Sequence, residues 1–235
     1  MEFLKPIVLP VRIRPAERTG IVDFYLPFTT GAPRPAILFM HGGPLPPGME
    51  PLPREWPHFQ GYASLAADRG AVGGVVEHRL YGPDSYPTAA GDVAAAVNAL
   101  RDDPRVDSDR VALWFFSGSA RLAADYLREP PEWLRAVAMT YPMVTPFPGW
   151  PDDPRFRPAD AVLSAGDLPI VLTRVGQENP LIAEGVASFV STAEKANLEI
   201  IDVPEGGHGF DNQLDTDESR AAILRAFDLV TAALT

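Results

Sequence analysis

The stretch that most narrows what this chain can fold into is 110–127, R-V-A-L-W-F-F-S-G-S-A-R-L-A-A-D-Y-L. An unbroken apolar run over 111–116 stops at Ser117. Gly118, Ser119 and Ala120 form a small step, and Leu122, Ala123, Tyr126 and Leu127 then recur at helical spacing. The pattern predicts a strand, a sharp turn and a helix, with a serine at the corner. Two readings of Ser117 follow. As an N-cap it would spend its hydroxyl on the backbone of the helix it precedes. As a corner residue it would hold the hydroxyl out above the sheet edge, beside the Gly118 N–H at a helix N-terminus, where developing negative charge is favoured.

The rest of the chain reads as repeats of the same alternation. Residues 7–14 and 21–26, partly alternating and separated by Arg18-Thr19-Gly20, predict an antiparallel hairpin at a sheet edge. Residues 35–40 and 70–77 are continuous apolar runs, as expected of parallel strands buried on both faces. Strands are also expected over 135–141, 170–175 and 198–203. Helices are expected over 59–69, 88–101 with Thr88 as its cap, 180–196 and 217–235, the first, second and last with apolar residues at helical spacing. Between them lie a proline-rich loop, 44–57, and a long connection, 142–168, with at most a short helix near 158–164. Strands alternating with helices at this spacing imply a mostly parallel sheet with helices on both faces and right-handed crossovers. No repeat or linker divides the chain, so one α/β domain over 1–235 is expected. Loops at the carboxyl ends of the strands share one rim, where open α/β sheets bind ligands. Gly42, Ser117, Glu178 and His208 fall there.

Composition removes several functions. A net charge of -11 argues against nucleic acid or an anionic membrane as partner, since both select basic patches. The chain has no cysteine, so a thiolate nucleophile, a disulfide and a Cys-ligated metal are all excluded. Four scattered histidines without an H-E-x-x-H spacing make no metal site, and the paired glycines form neither a P-loop nor a G-x-G-x-x-G, so no cofactor is expected. The N-terminus lacks a basic segment followed by an apolar one, and no window holds 18 apolar residues, so a soluble cytoplasmic protein is the expectation. The partner expected is a small ester-like molecule, with a homodimer left open.

The chemistry-bearing residues keep a particular order. His41-Gly42-Gly43 follows an early strand, Ser117 the central one, Glu178 a later one, and Gly206-Gly207-His208-Gly209 the last. With Phe116-Ser117-Gly118 and Gly207-His208-Gly209-Phe210, this arrangement resembles the α/β-hydrolases, in its ending the dienelactone hydrolase and prolyl-oligopeptidase-like branches, over nearly the whole chain from Ile21 onward. The resemblance implies Ser117 as nucleophile, His208 as base, Glu178 as acid and an oxyanion hole from Gly42, Gly43 and Gly118, in the order Ser, acid, His. It implies a serine hydrolase of a carboxylic ester or lactone working through an acyl-enzyme, with little or no cap domain. Thioesterases, acyltransferases and cyclases carry the same triad, and a non-catalytic binding protein of this fold is a further alternative. Loops 44–58 and 142–168 would decide the substrate.

Two features depart from that pattern. The elbow reads Phe115-Phe116-Ser117-Gly118-Ser119 where G-x-S-x-G is usual, so Phe115 must point where a glycine needs no room. Dienelactone hydrolases use a cysteine, which this chain lacks. Among the remaining candidates, His41 is expected to orient the oxyanion loop and His78 to make a structural hydrogen bond. His58 is expected at the surface of the proline-rich loop, with a substrate contact as the lesser reading. Ser119 is a rival nucleophile, while Asp211, Asp215 and Asp217 read as a solvated turn and cap before the last helix. Trp56, Phe59, Tyr62, Phe147 and Trp150 are candidates to line an acyl or alcohol pocket.

Overall fold

The computed structural model describes residues 4–28 and 31–235. Eight strands form one sheet in the order β1-β2-β4-β3-β5-β6-β7-β8. They are β1 (Glu17–Thr19), β2 (Val22–Tyr25), β3 (Arg34–Met40), β4 (Val72–Val76), β5 (Val106–Phe116), β6 (Leu134–Thr140), β7 (Ile170–Gln177) and β8 (Leu198–Gly207). The first two pair antiparallel with each other and β2 pairs antiparallel with β4; every pairing from β4 to β8 is parallel. The helices are α1 (Pro57–Asp68), α2 (Tyr86–Arg101), α3 (Ala123–Arg128), α4 (Pro158–Ala161), α5 (Pro180–Thr192), α6 (Phe210–Gln213) and α7 (Asp217–Ala233).

The pleat explains why the central runs are apolar throughout. Along β5, Leu113 and Phe115 join the core formed with α2, α3 and α5, whereas Ala112, Trp114 and Phe116 join the core formed with α1 and α7. Residues 37 to 40 of β3 divide between the same two cores. Phe115 therefore has a place: it is fully buried and packs near Tyr126 of α3, with ring centroids 6.3 Å apart.

Three local expectations are corrected. The N-terminal hairpin runs over 17–25, not 7–26, because β2 already has β1 on one edge and β4 on the other. Residues 7–14 instead cross α1 and α6. Val8 N–H donates to Asp211 O at 2.9 Å, Arg14 N–H donates to Ser64 Oγ at 3.0 Å, and Ile7 is buried against Gly61. Pro10 removes an N–H donor from that segment, and Pro6 and Pro15 flank it, where a strand would need donors. Thr88 is not a cap: α2 begins at Tyr86, with Ser85 before it and Pro87 in its first turn. Capping side chains do start the later helices, where Asn179 accepts Leu181 N–H at 2.9 Å and Thr216 accepts Ser219 N–H at 3.2 Å. Among the described residues, no helix is long and apolar enough to cross a membrane.

Candidate active site

At the carboxyl end of β5 the chain turns through Ser117 with φ 51°. That left-handed conformation costs a non-glycine residue on the order of 1 kcal/mol or more and persists only where the surroundings impose it. Here they do. Met143 N–H donates to Ser117 O at 3.0 Å, and the Tyr86 hydroxyl donates to Gly118 O at 3.0 Å. The Ser119 hydroxyl lies 2.8 Å from Phe116 O and 3.1 Å from Met40 O and accepts the Phe116 N–H at 3.0 Å. Ser119 is completely buried and occupied in tying the turn to β3 and β5, so it is no rival nucleophile.

The Ser117 hydroxyl does not cap the following 3-10 turn; it meets His208 Nε2 at 2.7 Å. His208 follows β8, just before Gly209, whose φ of 79° lets the chain reverse into α6. Its Nδ1 lies 2.7 Å from Glu178 Oε2. Glu178 extends from the end of β7, its side chain only 4% exposed, and its other oxygen accepts the Asn179 N–H at 2.7 Å. Three residues from three strand ends, far apart in sequence, thus form one hydrogen-bonded chain. With Nδ1–H donating to the carboxylate, Nε2 is the lone pair that faces the serine.

The loop after β3 closes over the serine. A Cβ placed on Gly42 would stand 3.7 Å from Ser117 Oγ, and one on Gly118 would fall 1.8 Å from Gly43 O, so loop and turn touch backbone to backbone. Two histidines hold the loop from beneath. His41 Nδ1 donates to Gly42 O at 2.7 Å, His78 Nε2 donates to His41 O at 2.9 Å, and the rings stack 3.7 Å apart. Burial pushes both imidazoles down, His78 to about 4 and His41 well below the ordinary value, so both remain neutral and keep these tautomers. Each does what its place in the sequence suggested.

A cavity of about 390 Å³ opens from the serine, bounded by Gly42, Leu45, Trp56, His58, Phe59 and His208. Among the described residues, no Lys, Arg, Asp or Glu lines it. Of the aromatic candidates, Trp56 and Phe59 line this wall. Tyr62 is in the core beside it, and Phe147 and Trp150 pack on each other 5.2 Å apart, outside the lining.

Two expectations about polar residues are overturned. His58 is not a surface residue: it sits in the first turn of α1, 4% exposed, with Nε2 3.0 Å from Asp211 Oδ2. Asp211 is not in a solvated turn but fully buried. Its Oδ2 accepts the Tyr62 hydroxyl at 2.7 Å and the Tyr141 hydroxyl at 3.3 Å. Burial works to raise the Asp211 carboxyl, yet His58 and the two hydroxyls hold it below the usual carboxylate range. Burial and the neighbouring Asp211 push both tyrosines well up, so they stay protonated donors. The Tyr141 ring in turn lies 4.8 Å from that of His208. Asp215 and Asp217 do remain at the surface, both paired with Arg220.

Neither a protein-family model nor a curated protein matches the chain. Solved structures do. Esterase 2 of Thermogutta terrifontis, phosphoramylated by tabun, superposes with a TM-score of 0.72 at 16% identity over 95% of this chain and 96% of that one. Its propionate-bound form gives 0.69 at 17% identity over 90% and 89%. The Francisella virulence factor BioJ gives 0.71 at 15% identity over 95% and 86%. At such identities the likeness establishes a shared fold.

Proposed function

We propose that this chain, which has the α/β-hydrolase fold, is a serine hydrolase that cleaves small carboxylic esters or lactones through an acyl-enzyme. The observation that carries the reading is the unbroken chain Ser117 Oγ–His208 Nε2 and His208 Nδ1–Glu178 Oε2, each link 2.7 Å, at a turn whose serine holds a strained φ of 51°. A lone serine hydroxyl is a weak nucleophile; an imidazole within hydrogen-bond reach takes its proton as the oxygen attacks. Ser117 Oγ bonds to the ester carbonyl carbon while its proton passes to His208 Nε2, and Glu178 stabilises the imidazolium. The oxyanion is met by backbone N–H groups of Gly118 and of the Gly42-Gly43 loop, each donor contributing about 3 to 4 kcal/mol to the transition state. His208 then protonates the leaving alkoxide, and water reverses the sequence on the acyl-enzyme.

The cavity supports an uncharged substrate, because no Lys, Arg, Asp or Glu among the described residues lines it. Esterases of the same fold favour ester over peptide chemistry as a starting point, though a fold hosts many reactions. The test is labelling with a fluorophosphonate, followed by mass mapping, beside hydrolysis of p-nitrophenyl esters of graded acyl length. One label at Ser117, with both labelling and turnover lost in Ser117→Ala, is the expected result. A label on another serine, or none on the folded protein, would overturn the assignment.

A further inference from the structure

The His58 and Asp211 pair lies outside the chain of groups that moves the proton, yet it is built with the same parts. Asp211 is completely buried, and the groups aimed at it come from distant elements: Tyr62 and His58 from α1, Tyr141 from the end of β6, and Val8 N–H on its backbone oxygen. Burying a carboxylate is costly unless it is paired and hydrogen-bonded, so a purely structural loop would gain nothing from it over an apolar residue. One product of this arrangement is the orientation of His58. Its Nε2 is shut off from solvent and turned to Asp211, while the ring forms part of the cavity wall that also contains Ser117 and His208. The ring packs edge-on against Tyr62 at 5.1 Å and Phe116 at 5.6 Å and lies 4.7 Å from Phe59, measured between ring centroids. Nδ1 is the nitrogen left for whatever fills the cavity.

An occupant of that cavity meets mostly carbon, from Leu45, Trp56, Phe59 and Phe116, and beside it the His58 ring nitrogen; of the two amides in the lining, Asn212 and Gln213, the latter donates to His208 O at 3.3 Å. A neutral ring with its proton on Nε2 presents a lone pair at Nδ1, and a protonated ring presents an N–H. A hydroxyl serves both states, because it donates and accepts. An alkyl chain serves neither and strips water from Nδ1 without replacing the hydrogen bond, which selects against it.

Resting on the reading of this cavity as the ester-binding site, we propose that His58, oriented by Asp211, is a specificity-determining residue that selects esters bearing a hydroxyl on the group occupying the cavity. Asp211 acts as a positioning residue for it. The same carboxylate also steadies Tyr141 against His208, so the pocket wall and the base are held by a single buried group.

The test compares matched esters that differ by one hydroxyl: methyl 3-hydroxybutyrate against methyl butyrate for the acyl side, and 2-hydroxyethyl butyrate against ethyl butyrate for the alcohol side. Turnover is followed by pH-stat. For one of the two pairs, kcat/KM should favour the hydroxylated ester by roughly 10- to 100-fold, carried mainly by KM. His58→Phe, which keeps a ring and removes both nitrogens, should bring that ratio close to one, and His58→Gln should restore part of it. Binding of the same esters to Ser117→Ala, measured by calorimetry, should show the same preference. That measurement separates the two readings: if wild type hydrolyses nothing but Ser117→Ala still prefers the hydroxylated ester, the catalytic assignment fails and the recognition stands. Equal kcat/KM and equal affinity within both pairs, or a preference unchanged in folded His58→Phe and His58→Gln, overturns the proposal.

Discussion

Gly118→Ala tests the backbone contact on which the oxyanion hole depends. The glycine is not at a positive φ, so alanine meets no conformational penalty there and the whole effect comes from contact. The new Cβ would lie 1.8 Å from Gly43 O, and carbon and oxygen do not approach closer than about 3.0 Å, so the two must part by more than 1 Å. Neither side yields easily. The turn is held by Tyr86, Met143 and Ser119, and the Gly42-Gly43 loop by the stacked His41 and His78. A displacement of about 1 Å in a positioning group costs on the order of 100-fold in rate, comparable with deleting one oxyanion donor. The expected outcome is a fall of about 100-fold in kcat on p-nitrophenyl butyrate, with a smaller change in KM. Overpacking should also lower stability by about 1 to 3 kcal/mol in urea titration. Gly91→Ala is the control: nothing lies within 4 Å of its Cβ and it sits inside α2, so it should stabilise by up to about 1 kcal/mol and leave kcat alone. A folded Gly118→Ala with kcat within threefold of wild type would show that the loop and turn do not form the hole together.

Glu178→Gln should lower kcat by about four orders of magnitude with little change in KM, since the amide favours the wrong imidazole tautomer. Asp202→Asn, in the same assay, should keep wild-type kcat, because Asp202 is a surface residue paired with Arg174. If the two results were exchanged, the acid would have to be reassigned. Asp211→Asn should cost stability, by about 3 kcal/mol or more in urea titration, as expected for breaking a buried charged network; a loss under 1 kcal/mol would refute the burial argument. His41 and His78 predict acid lability: with folded values below 6.5, the unfolded chain binds more protons as pH falls, so stability is full above about pH 7 and declines below 6.5. His78 alone, lowered to about 4, should remove about 3 kcal/mol by pH 4. Urea titrations between pH 7 and 5, before carboxylates protonate, should show the decline, and His78→Gln should reduce its slope by about one proton; equal slopes would refute it.

Much of the architecture was legible because it is local. Unbroken apolar runs such as 35–40 and 111–116 have no face to give to water, so they specify strands covered on both sides, and the helical stripes supply the cover. The parallel order then places the segments after β3, β5, β7 and β8 on one rim. The serine turn was legible for the same reason, being an abrupt change of period at a small residue. The pattern around Phe115 was less transparent, since the pleat alone decides that its side chain enters the core with α2 and α3 rather than the turn.

What only the tertiary structure decided concerns polar residues whose surroundings come from elsewhere in the chain. Nothing near Asp211 distinguishes it from the exposed Asp215 and Asp217; its burial comes from Tyr62, 149 positions away, and from Val8 at the start of the chain. His58 reads as a residue of a proline-rich loop, and only the docking of α1 on the His208 loop turns it inward. The 7–14 segment has the composition of a strand, but strand pairing depends on a free edge, and β1 and β4 occupy both edges of β2. Periodicity reports which face of an element is apolar. It carries no information about which distant group will meet a given polar atom, because that is set by the relative placement of whole elements.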